Sequence, residues 1–186
     1  LNVTLPFKTR ACDLADTVSD RARLTGAANF LPANEAGGIH ADNTDGKGLL
    51  TDVTTNAGWN LEGARILVLG AGGAVKGVMP SLLEAGPAAL VIANRTAERA
   101  EALAAEWAAR PIPVSGGGYS LAVGTPWDVI INGTSTGLSD EMPAVPNETV
   151  LAEGCCCYDR AYGKGPTPFM RWSAEQGASD ARDGLG

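Results

Sequence analysis

A run of branched apolar residues that ends in a cluster of glycines constrains the fold of this chain more than any other feature. The run covers residues 66–69, the glycine cluster follows at once, and an apolar stretch resumes at Val75. This pattern is typical of a strand that is buried on both faces of a parallel sheet and ends in a tight turn before a helix. Glycines let the backbone approach a pyrophosphate, and the helix start offers free N–H groups to its phosphates. The segment therefore predicts a dinucleotide-binding turn at Gly70, Ala71, Gly72, Gly73 and Ala74.

The match to the fingerprint G-x-G-x-x-G is incomplete at its third position. Gly70 and Gly72 fit, but Val75 stands where Gly or Ala normally lets the helix pack closely on the strand. Glycine-rich turns also occur in strand-to-helix connections that bind no ligand. The turn alone leaves both interpretations open, so the surrounding segments must decide between them.

Predicted strands and helices alternate after residue 58. Strands are expected at 65–69, 89–93, 112–114, 128–132 and 154–159, and helices at 74–85, 96–109 and 167–176. Strands that alternate with helices form parallel sheets through right-handed crossovers. We therefore expect an α/β fold with a Rossmann-type doubly wound parallel sheet, and the polar joint at 56–63 separates it from a smaller preceding domain.

The region before that joint has a more mixed pattern. Apolar residues at helical spacing predict one helix over 9–24, which Gly26 ends. Residues 27–39 contain two short apolar pieces around a polar link and predict a hairpin. The turn-forming residues 42–46 precede an apolar helical face and predict the start of another helix.

Composition excludes several classes of function. The formal net charge of −7 disfavours electrostatic binding to nucleic acid or to an anionic membrane surface. No apolar run approaches the roughly 18 residues needed to span a bilayer. The four cysteines, Cys12 and the adjacent Cys155, Cys156 and Cys157, lack the spacing of metal ligands or of a disulfide framework. His40 is equally isolated, so we expect no metal site and a reduced, cytoplasmic protein.

Asn94, Arg95 and Thr96 follow the second strand of the predicted sheet, about 24 residues beyond Gly70. Enzymes that use NAD usually carry Asp or Glu near this point, whereas a basic residue suits the 2′-phosphate of NADP. Arg95 and Arg99 lie four residues apart at a predicted helix start, where they could hold a phosphate from one side. The alternative is that both are solvated surface side chains. The glycine turn at the expected distance favours NADP as the cofactor.

Thr134 and Ser135 follow the predicted strand 128–132. The carboxyl edge of a doubly wound sheet is where ligands bind, so these residues are candidates for cofactor binding. An ordinary polar loop has the same composition, and the pattern does not separate the two interpretations.

Lys8 and Asp45 are the candidates for acid–base chemistry. Each follows a short strand or turn, and small polar residues able to bind hydroxyl groups lie near both in sequence. Reduction of a carbonyl needs a proton donor at the oxygen while hydride arrives at the carbon. A lysine can donate that proton if a carboxylate fixes its position. From the pattern alone, a lysine and an aspartate in these positions are more often a surface charge and a helix cap.

Several motifs, in the same order along the chain, resemble those of the shikimate dehydrogenase family. The most specific are Asn-Val-Thr-x-Pro-Phe-Lys at 2–8 and Asp-Asn-Thr-Asp-Gly at 42–46. The others are Gly-Ala-Ala-Asn at 26–29, the glycine turn at 70–74, Asn-Arg-Thr at 94–96, Asn-Gly-Thr-Ser at 132–135, Asp-x-x-Tyr at 159–162 and Thr-Pro-Phe at 167–169. The resemblance covers essentially the whole chain.

The resemblance implies an NADP-dependent oxidoreductase that reversibly reduces 3-dehydroshikimate to shikimate, in aromatic amino acid biosynthesis. It implies that Lys8 and Asp45 form the catalytic pair, and that the substrate contacts are Thr4, Asn29 and Tyr162. It further implies that Arg95 and Arg99 bind the 2′-phosphate and that Gly184 lies near the nicotinamide.

The domain limits implied by the resemblance are 1–57, 58–165 and 166–186. The first segment is part of an incomplete α/β substrate-binding domain, the second is the NADP-binding Rossmann domain, and the third returns to the substrate-binding domain. The expected partners are the small-molecule substrate and, as an open option, a second copy of the chain in a homodimer.

The chain departs from the family pattern at its ends and near Tyr162. A Ser-x-Ser segment normally precedes the position of Leu1, and a Met-Leu-Val-x-Gln segment normally follows that of Gly186, so we expect a piece of a longer polypeptide. Arg160 and Ala161 replace an apolar pair inside the Asp-x-x-Tyr motif. A charged group at the end of a buried strand is costly unless it reaches solvent.

Two alternative functions stay open. A quinate/shikimate dehydrogenase that prefers NAD would share the motifs, although Arg95 and Arg99 argue against it. A non-catalytic ligand-sensing relative would keep the dinucleotide fold, although the retention of Lys8 and Asp45 argues against that as well.

Overall fold

The computed structural model describes residues 1–4, 7–35, 37–136 and 141–184 of the chain. Its N-terminal part contains short elements only. These are the helices α1 (Lys8–Asp13), α2 (Asp20–Thr25) and α3 (Asp45–Thr51) and the strands β1 (Thr17–Val18) and β2 (His40–Ala41). A single π-helical turn, Asp52–Asn56, continues α3 towards the larger domain.

The prediction of one helix over 9–24 is wrong, because β1 interrupts it. The two residues of β1 pair in parallel with β2. Ser19 then begins a new helix, since its side chain accepts a hydrogen bond from the backbone N–H of Ala22. Leu14, one of the apolar residues whose spacing predicts that helix, is 68% exposed. The predicted hairpin in 27–39 is confirmed by the antiparallel bridges Phe30–Asp42 and Ala33–Ile39.

A six-stranded parallel sheet forms the larger part of the fold. Its strands are β3 (Arg65–Leu69), β4 (Ala89–Ala93), β5 (Val114–Gly117), β6 (Pro126–Asn132), β7 (Val150–Asp159) and β8 (Asp180–Asp183). Their spatial order is β5-β4-β3-β6-β7-β8, and every neighbouring pair is parallel. This is the doubly wound order, so the predicted fold class is confirmed.

Alternate residues of the central strands pack into two different apolar layers. Ile66 and Val68 face a layer that includes residues of α4 (Gly73–Glu84) and α5 (Ala97–Ala105). Leu67 and Leu69 face the opposite layer, which includes Phe169 of α6 (Pro168–Glu175). A sheet covered on both faces requires apolar side chains in both directions, which explains the uninterrupted apolar run in β3.

Several boundaries in the sheet domain differ from their predictions, and one strand of the sheet was not predicted. Strands β6 and β7 begin at Pro126 and Val150 rather than at 128 and 154. The expected strand at 112–114 lies instead at Val114–Gly117, and α5 ends at Ala105 rather than near 109. The unpredicted strand is β8, an edge strand whose residues are all half-buried and mostly charged. Such a strand carries no apolar signal. Helix α6 packs on the sheet and β8 pairs with β7 at its edge. A return of the chain to the first domain stays a prediction.

No helix in the described part of the chain is long and apolar enough to cross a membrane.

The contact between Val75 and Gly133 explains the incomplete fingerprint. Val75 is fully buried in the first turn of α4, and a Cβ atom added at Gly133 would lie only 2.5 Å from Val75 Cγ2. Gly133 follows β6 and donates its N–H to the Leu69 carbonyl at the end of β3. The space that a small third fingerprint residue normally leaves is provided here by the glycine of the neighbouring loop.

We expect Gly133→Ala to lower the free energy of unfolding by about 1–3 kcal/mol, because the added methyl group overpacks the contact with Val75. Urea unfolding of the purified protein measures this change. In a Val75→Ala background the same replacement should cost under about 1 kcal/mol, because the opposing methyl groups are gone. Equal costs in the two backgrounds would contradict this account of the contact.

Candidate active site

Lys8 and Asp45, the pair predicted to carry acid–base chemistry, are in direct contact. Lys8 Nζ lies 2.6 Å from Asp45 Oδ2, and the two side chains are 21% and 15% exposed. Lys8 is the first residue of α1 and Asp45 is the first residue of α3. The fold therefore unites two sequence motifs in one partly buried ion pair, a geometry that a freely solvated surface lysine would not have.

Asn29 holds the second carboxylate oxygen of Asp45. Its Nδ2 donates to Asp45 Oδ1 at 2.8 Å and to Thr44 Oγ1 at 3.0 Å, so both amide hydrogens are used. Its Oδ1 accepts from the backbone N–H of Thr44 at 2.8 Å. In this structure Asn29, predicted as a substrate contact, orients the carboxylate of Asp45.

Asp42 and Asn43 fix the turn that carries Asp45. Asn43 is buried, and its Oδ1 accepts from the backbone N–H of Asp45 at 3.0 Å. Asp42 accepts two hydrogen bonds from the Arg21 guanidinium and one from the Ser19 hydroxyl. The hydrogen bonds from Arg21 are the main reason that the pKa of Asp42 falls to about 2. Within the motif at 42–46, Asp42 and Asn43 thus position the carboxylate of Asp45.

A close approach of α3 and α4 brings Asp45 against the first helix of the sheet domain. A Cβ atom added at Gly46 would lie 2.5 Å from Ser81 Oγ and 3.1 Å from Ser81 Cβ. One added at Gly77 would lie 3.6 Å from Asp45 Oδ2. The two glycines therefore set the distance between the carboxylate and α4.

A cleft of about 650 Å³ opens beside Asp45. It runs between α3 with its π-helical turn and the chain that follows β7 and β8. Tyr162 and Gly184, two further predicted site residues, line it together with Asp45, and Tyr162 is 64% exposed. Lys8 reaches the cleft only through its contact with Asp45. Thr4, a predicted substrate contact, is exposed and lies outside the cleft lining.

A buried hydrogen bond closes one wall of this cleft. The Tyr158 hydroxyl donates to Asp52 Oδ2 at 2.7 Å, which ties the π-helical turn to β7. Burial, and then the hydrogen bond to Asp52, raise the pKa of Tyr158. The ring also makes an edge contact with Trp59. Tyr158 therefore stays protonated and serves as a fixed wall.

The glycine turn after β3 has the backbone of a dinucleotide loop. Gly70 has a φ of +100°, a conformation that favours glycine, and its N–H donates to the Ala93 carbonyl at 2.8 Å. A Cβ atom at Gly72 or Gly73 would meet nothing within 4 Å, so this side of the turn is open. The two alanines of the turn are half-buried. The N–H groups of the first turn of α4 lack acceptors within the helix, which suits a phosphate group.

Arg95, Thr96 and Arg99 are exposed where β4 passes into α5. Within the described ranges neither arginine forms an ion pair with a carboxylate. Asn94 Nδ2 donates to the Thr96 carbonyl at 2.9 Å and shapes this turn. Two exposed cations that pair with no carboxylate in the part of the chain that the structure describes suit an anionic ligand group. These observations fit a dinucleotide that carries an additional phosphate.

Thr134 lies at the carboxyl end of β6 and is held by a buried network. Its hydroxyl donates to Asn132 Oδ1 at 2.7 Å, and Asn132 Nδ2 donates to Asp159 Oδ1 at 3.0 Å. The Thr167 hydroxyl donates to the other oxygen of Asp159 at 2.6 Å. Burial raises the pKa of Asp159. One carboxylate thus fixes the loops after β6 and β7, and Ser135 next to Thr134 is exposed.

Among the described residues, no group of three or more His, Cys, Asp or Glu side chains is placed to hold a metal ion. All four cysteines are free, and Cys155 and Cys157 are buried.

Two residues at the site, Gly77 and Arg160, were not predicted to have a functional position. Gly77 borders the carboxylate of Asp45, and Arg160 lines the cleft. A glycine inside a helix was the available signal for the first. The signal for the second was a charge at the end of a buried strand, which the sequence presents only as a departure from the family pattern.

Two family models match the chain. One is described as shikimate / quinate 5-dehydrogenase and matches residues 52–138. The other is described as the shikimate dehydrogenase substrate binding domain and matches residues 1–31.

Individual proteins with similar sequences or structures agree with these models. The shikimate dehydrogenase (NADP(+)) of Thioalkalivibrio sulfidiphilus is 50% identical over 100% of this chain and 67% of its own length. An Ael1 enzyme from Pseudomonas putida superposes with a TM-score of 0.89 at 45% identity, covering 99% of this chain and 66% of its own. The shikimate 5-dehydrogenase of Thermus thermophilus, solved with NADP(H) and shikimate, superposes with a TM-score of 0.83 at 34% identity. The match covers 99% of this chain and 66% of the other. This chain thus spans about two thirds of the length of these proteins.

We expect Gly46→Ala to lower the free energy of unfolding by about 1–3 kcal/mol, because the new methyl group overpacks the contact between α3 and α4. The matched control is Gly48→Ala in the same helix, where a Cβ atom meets nothing within 4 Å. That replacement should be neutral or stabilising by up to about 1 kcal/mol. Urea unfolding compares the two variants, and equal effects would argue against close packing at Gly46.

Proposed function

The chain belongs to the shikimate dehydrogenase family, and from this premise we propose that the protein interconverts 3-dehydroshikimate and shikimate with NADP(H). The observation that carries the proposal is the ion pair between Lys8 and Asp45, with 2.6 Å between Nζ and Oδ2, at the edge of an open cleft. Carbonyl reduction requires a proton donor within hydrogen-bond reach of the carbonyl oxygen.

The cofactor would be held by the turn 70–74, by the first turn of α4 and by Arg95 with Arg99. The open space beside Gly72 and Gly73 and the absence of ion pairs at the two exposed arginines, within the described residues, fit a phosphorylated dinucleotide. Asn94, Thr96, Thr134 and Ser135 complete the proposed contacts at the carboxyl edge of the sheet, and Gly184 lies on the cleft side. When bound, NADPH supplies the hydride.

Lys8 donates the proton to the carbonyl oxygen in reduction and accepts it from the hydroxyl group in oxidation. Asp45 holds the ammonium group in place and shares the proton with it, while Asn29 fixes the orientation of the carboxylate. The close packing of Gly46 and Gly77 keeps this pair next to the cofactor helix α4. A donor that is already positioned avoids the entropic cost of finding the reacting oxygen.

The substrate would enter the cleft beside Asp45 and meet Tyr162, an exposed residue that lines it. Thr4 and Asn29 are proposed to contact the substrate from the first domain. The domain limits 1–57, 58–165 and 166–186, the cytoplasmic location, the absence of nucleic-acid binding and the homodimer stay predictions.

We expect Lys8→Met to lower kcat for shikimate-dependent NADP+ reduction by about 100-fold or more, because the general acid–base group is lost. The Kd for NADP+ should stay within about twofold of the wild-type value, since Lys8 lies outside the proposed cofactor contacts. Steady-state kinetics and calorimetry on the full-length protein measure both quantities.

The control for Lys8→Met is Arg10→Met, which removes an exposed cation from the same helix. This variant should keep the wild-type kcat. A Lys8→Met enzyme with unchanged turnover would refute the assigned role, and a wild-type protein without shikimate-dependent activity would favour a ligand-sensing function instead.

We expect Arg95→Ala to raise the Kd for NADP+ by roughly tenfold or more, because a charge-assisted hydrogen bond to the 2′-phosphate is lost. The Kd for NAD+ should change little, since NAD+ lacks that phosphate. Arg110→Ala serves as the control, because Arg110 stacks on Trp107 beyond the end of α5. Equal loss of affinity for both cofactors would contradict a role in phosphate recognition.

A further inference from the structure

Arg160 occupies an unusual position at the junction of the cofactor helix and the cleft. It follows β7 directly, and its backbone N–H donates to the Asn132 carbonyl at 2.9 Å. Its guanidinium crosses to α4 and donates to the carbonyl oxygen of Ala74 in the first turn of that helix. The side chain also lines the cleft beside Asp45. One residue thus touches the proposed cofactor element and the proposed substrate space.

The charge of Arg160 has no direct counterion among the residues that the structure describes. No carboxylate lies within ion-pair distance of its guanidinium in that part of the chain. Burial lowers the pKa of the guanidinium, and the nearby charge of Asp45 partly opposes this effect. A guanidinium still stays protonated in proteins. A partly buried permanent cation therefore stands at the cleft with no carboxylate partner among the described residues.

Most of the hydrogen-bonding capacity of Arg160 is directed to no protein atom among the described residues. A guanidinium has five N–H donors, and the bond to Ala74 uses one. The other charged or titratable groups that line the cleft do not compete for the remaining donors. Asp52 is bound by Tyr158, Asp45 is bound by Lys8 and Asn29, and Lys47 is an exposed cation. The free donors are therefore available to a molecule in the cleft.

The cleft extends over the substrate side of the site and reaches the position expected for the nicotinamide. Asp45, Tyr162 and Gly184 line it, whereas the glycine turn 70–73 and the arginines of α5, the proposed phosphate contacts, do not. We propose that Arg160 is a substrate-binding residue whose guanidinium donates hydrogen bonds to an oxygen of the hydroxylated ring acid beside Asp45. This inference rests on the proposed function. Arg160, which departs from the family pattern, thus contributes a contact to substrate recognition.

The main competing explanation is that Arg160 only fastens α4 to the end of β7. Under that explanation, loss of the bond to Ala74 would disturb the first turn of α4 and weaken cofactor binding. Under our proposal, the loss appears in substrate binding. The two Kd values, for shikimate and for NADP+, therefore separate the explanations.

The experiment compares Arg160→Met and Arg160→Lys in the full-length protein, with Arg65→Met as the matched control. Arg65 pairs with Asp128 at the start of β3, the opposite end of the strand from the glycine turn. We expect Arg160→Met to raise the Kd and KM for shikimate roughly 10- to 100-fold, the loss of one to two charge-assisted hydrogen bonds. Arg160→Lys should recover part of the loss, and the Kd for NADP+ should stay within about twofold in both variants.

Each outcome of this experiment has one interpretation. An unchanged Kd for shikimate in a folded Arg160→Met protein would overturn the proposal, and so would a loss confined to NADP+ binding. If Arg160→Met unfolds, the comparison of Arg160→Lys with wild type decides, because the shorter ammonium group keeps the charge but loses the fork of donors. Failure of the proposed function is recognised separately, because the wild-type protein would then bind no shikimate.

Discussion

The site depends on the close approach of two short stretches of backbone, one in α3 and one in α4. Gly46 faces the side chain of Ser81, and Gly77 faces the side chain of Asp45. This contact places the ion pair of Lys8 and Asp45, which belongs to the N-terminal part of the chain, against the helix that begins at the glycine turn. The proposed catalytic pair and the proposed cofactor turn come from separate parts of the sequence, so their relative position is set by packing and not by covalent proximity.

The sheet domain could be predicted from the sequence nearly element by element, because burial on both faces leaves an uninterrupted apolar run in each central strand. The N-terminal region could be predicted only in part, since β1 and β2 have only two residues each and are defined by pairing with one another. The apolar residues in 9–24 have helical spacing even though β1 interrupts the helix. Periodicity reflects the positions of apolar side chains and contains no information on backbone pairing. The edge strand β8 was missed for a related reason. Its charged, half-buried residues are placed by pairing with β7.

The candidate site was predictable where a motif carries its own supporting residues. Asp45 was predicted as a site residue together with its motif at 42–46, and Asn43 of that motif accepts a hydrogen bond from the Asp45 backbone N–H. Asn29, from a second predicted motif, donates to the Asp45 carboxylate and accepts from the Thr44 N–H. Arg160 was visible in the sequence only as a charge in an apolar position. A charge at such a position destabilises the fold unless it meets a polar partner or open space. The fold places Arg160 between the Ala74 carbonyl and the cleft, and the sequence alone shows neither.

Val75, at the third fingerprint position, also shows that a sequence pattern omits the contacts of its residues. The rule that this residue is small describes a distance between a helix and the neighbouring backbone, and that distance can be kept from either side of the contact. Here the Val75 side chain of the helix occupies the space, and Gly133 in the loop after β6 has no side chain that would clash with it. A pattern confined to 70–75 counts this as a mismatch, whereas the packed pair satisfies the requirement. Departures from a motif are therefore best interpreted together with the residues that they touch, and Arg160 is interpretable by the same argument, since its contacts lie in α4 and the cleft rather than in its own motif.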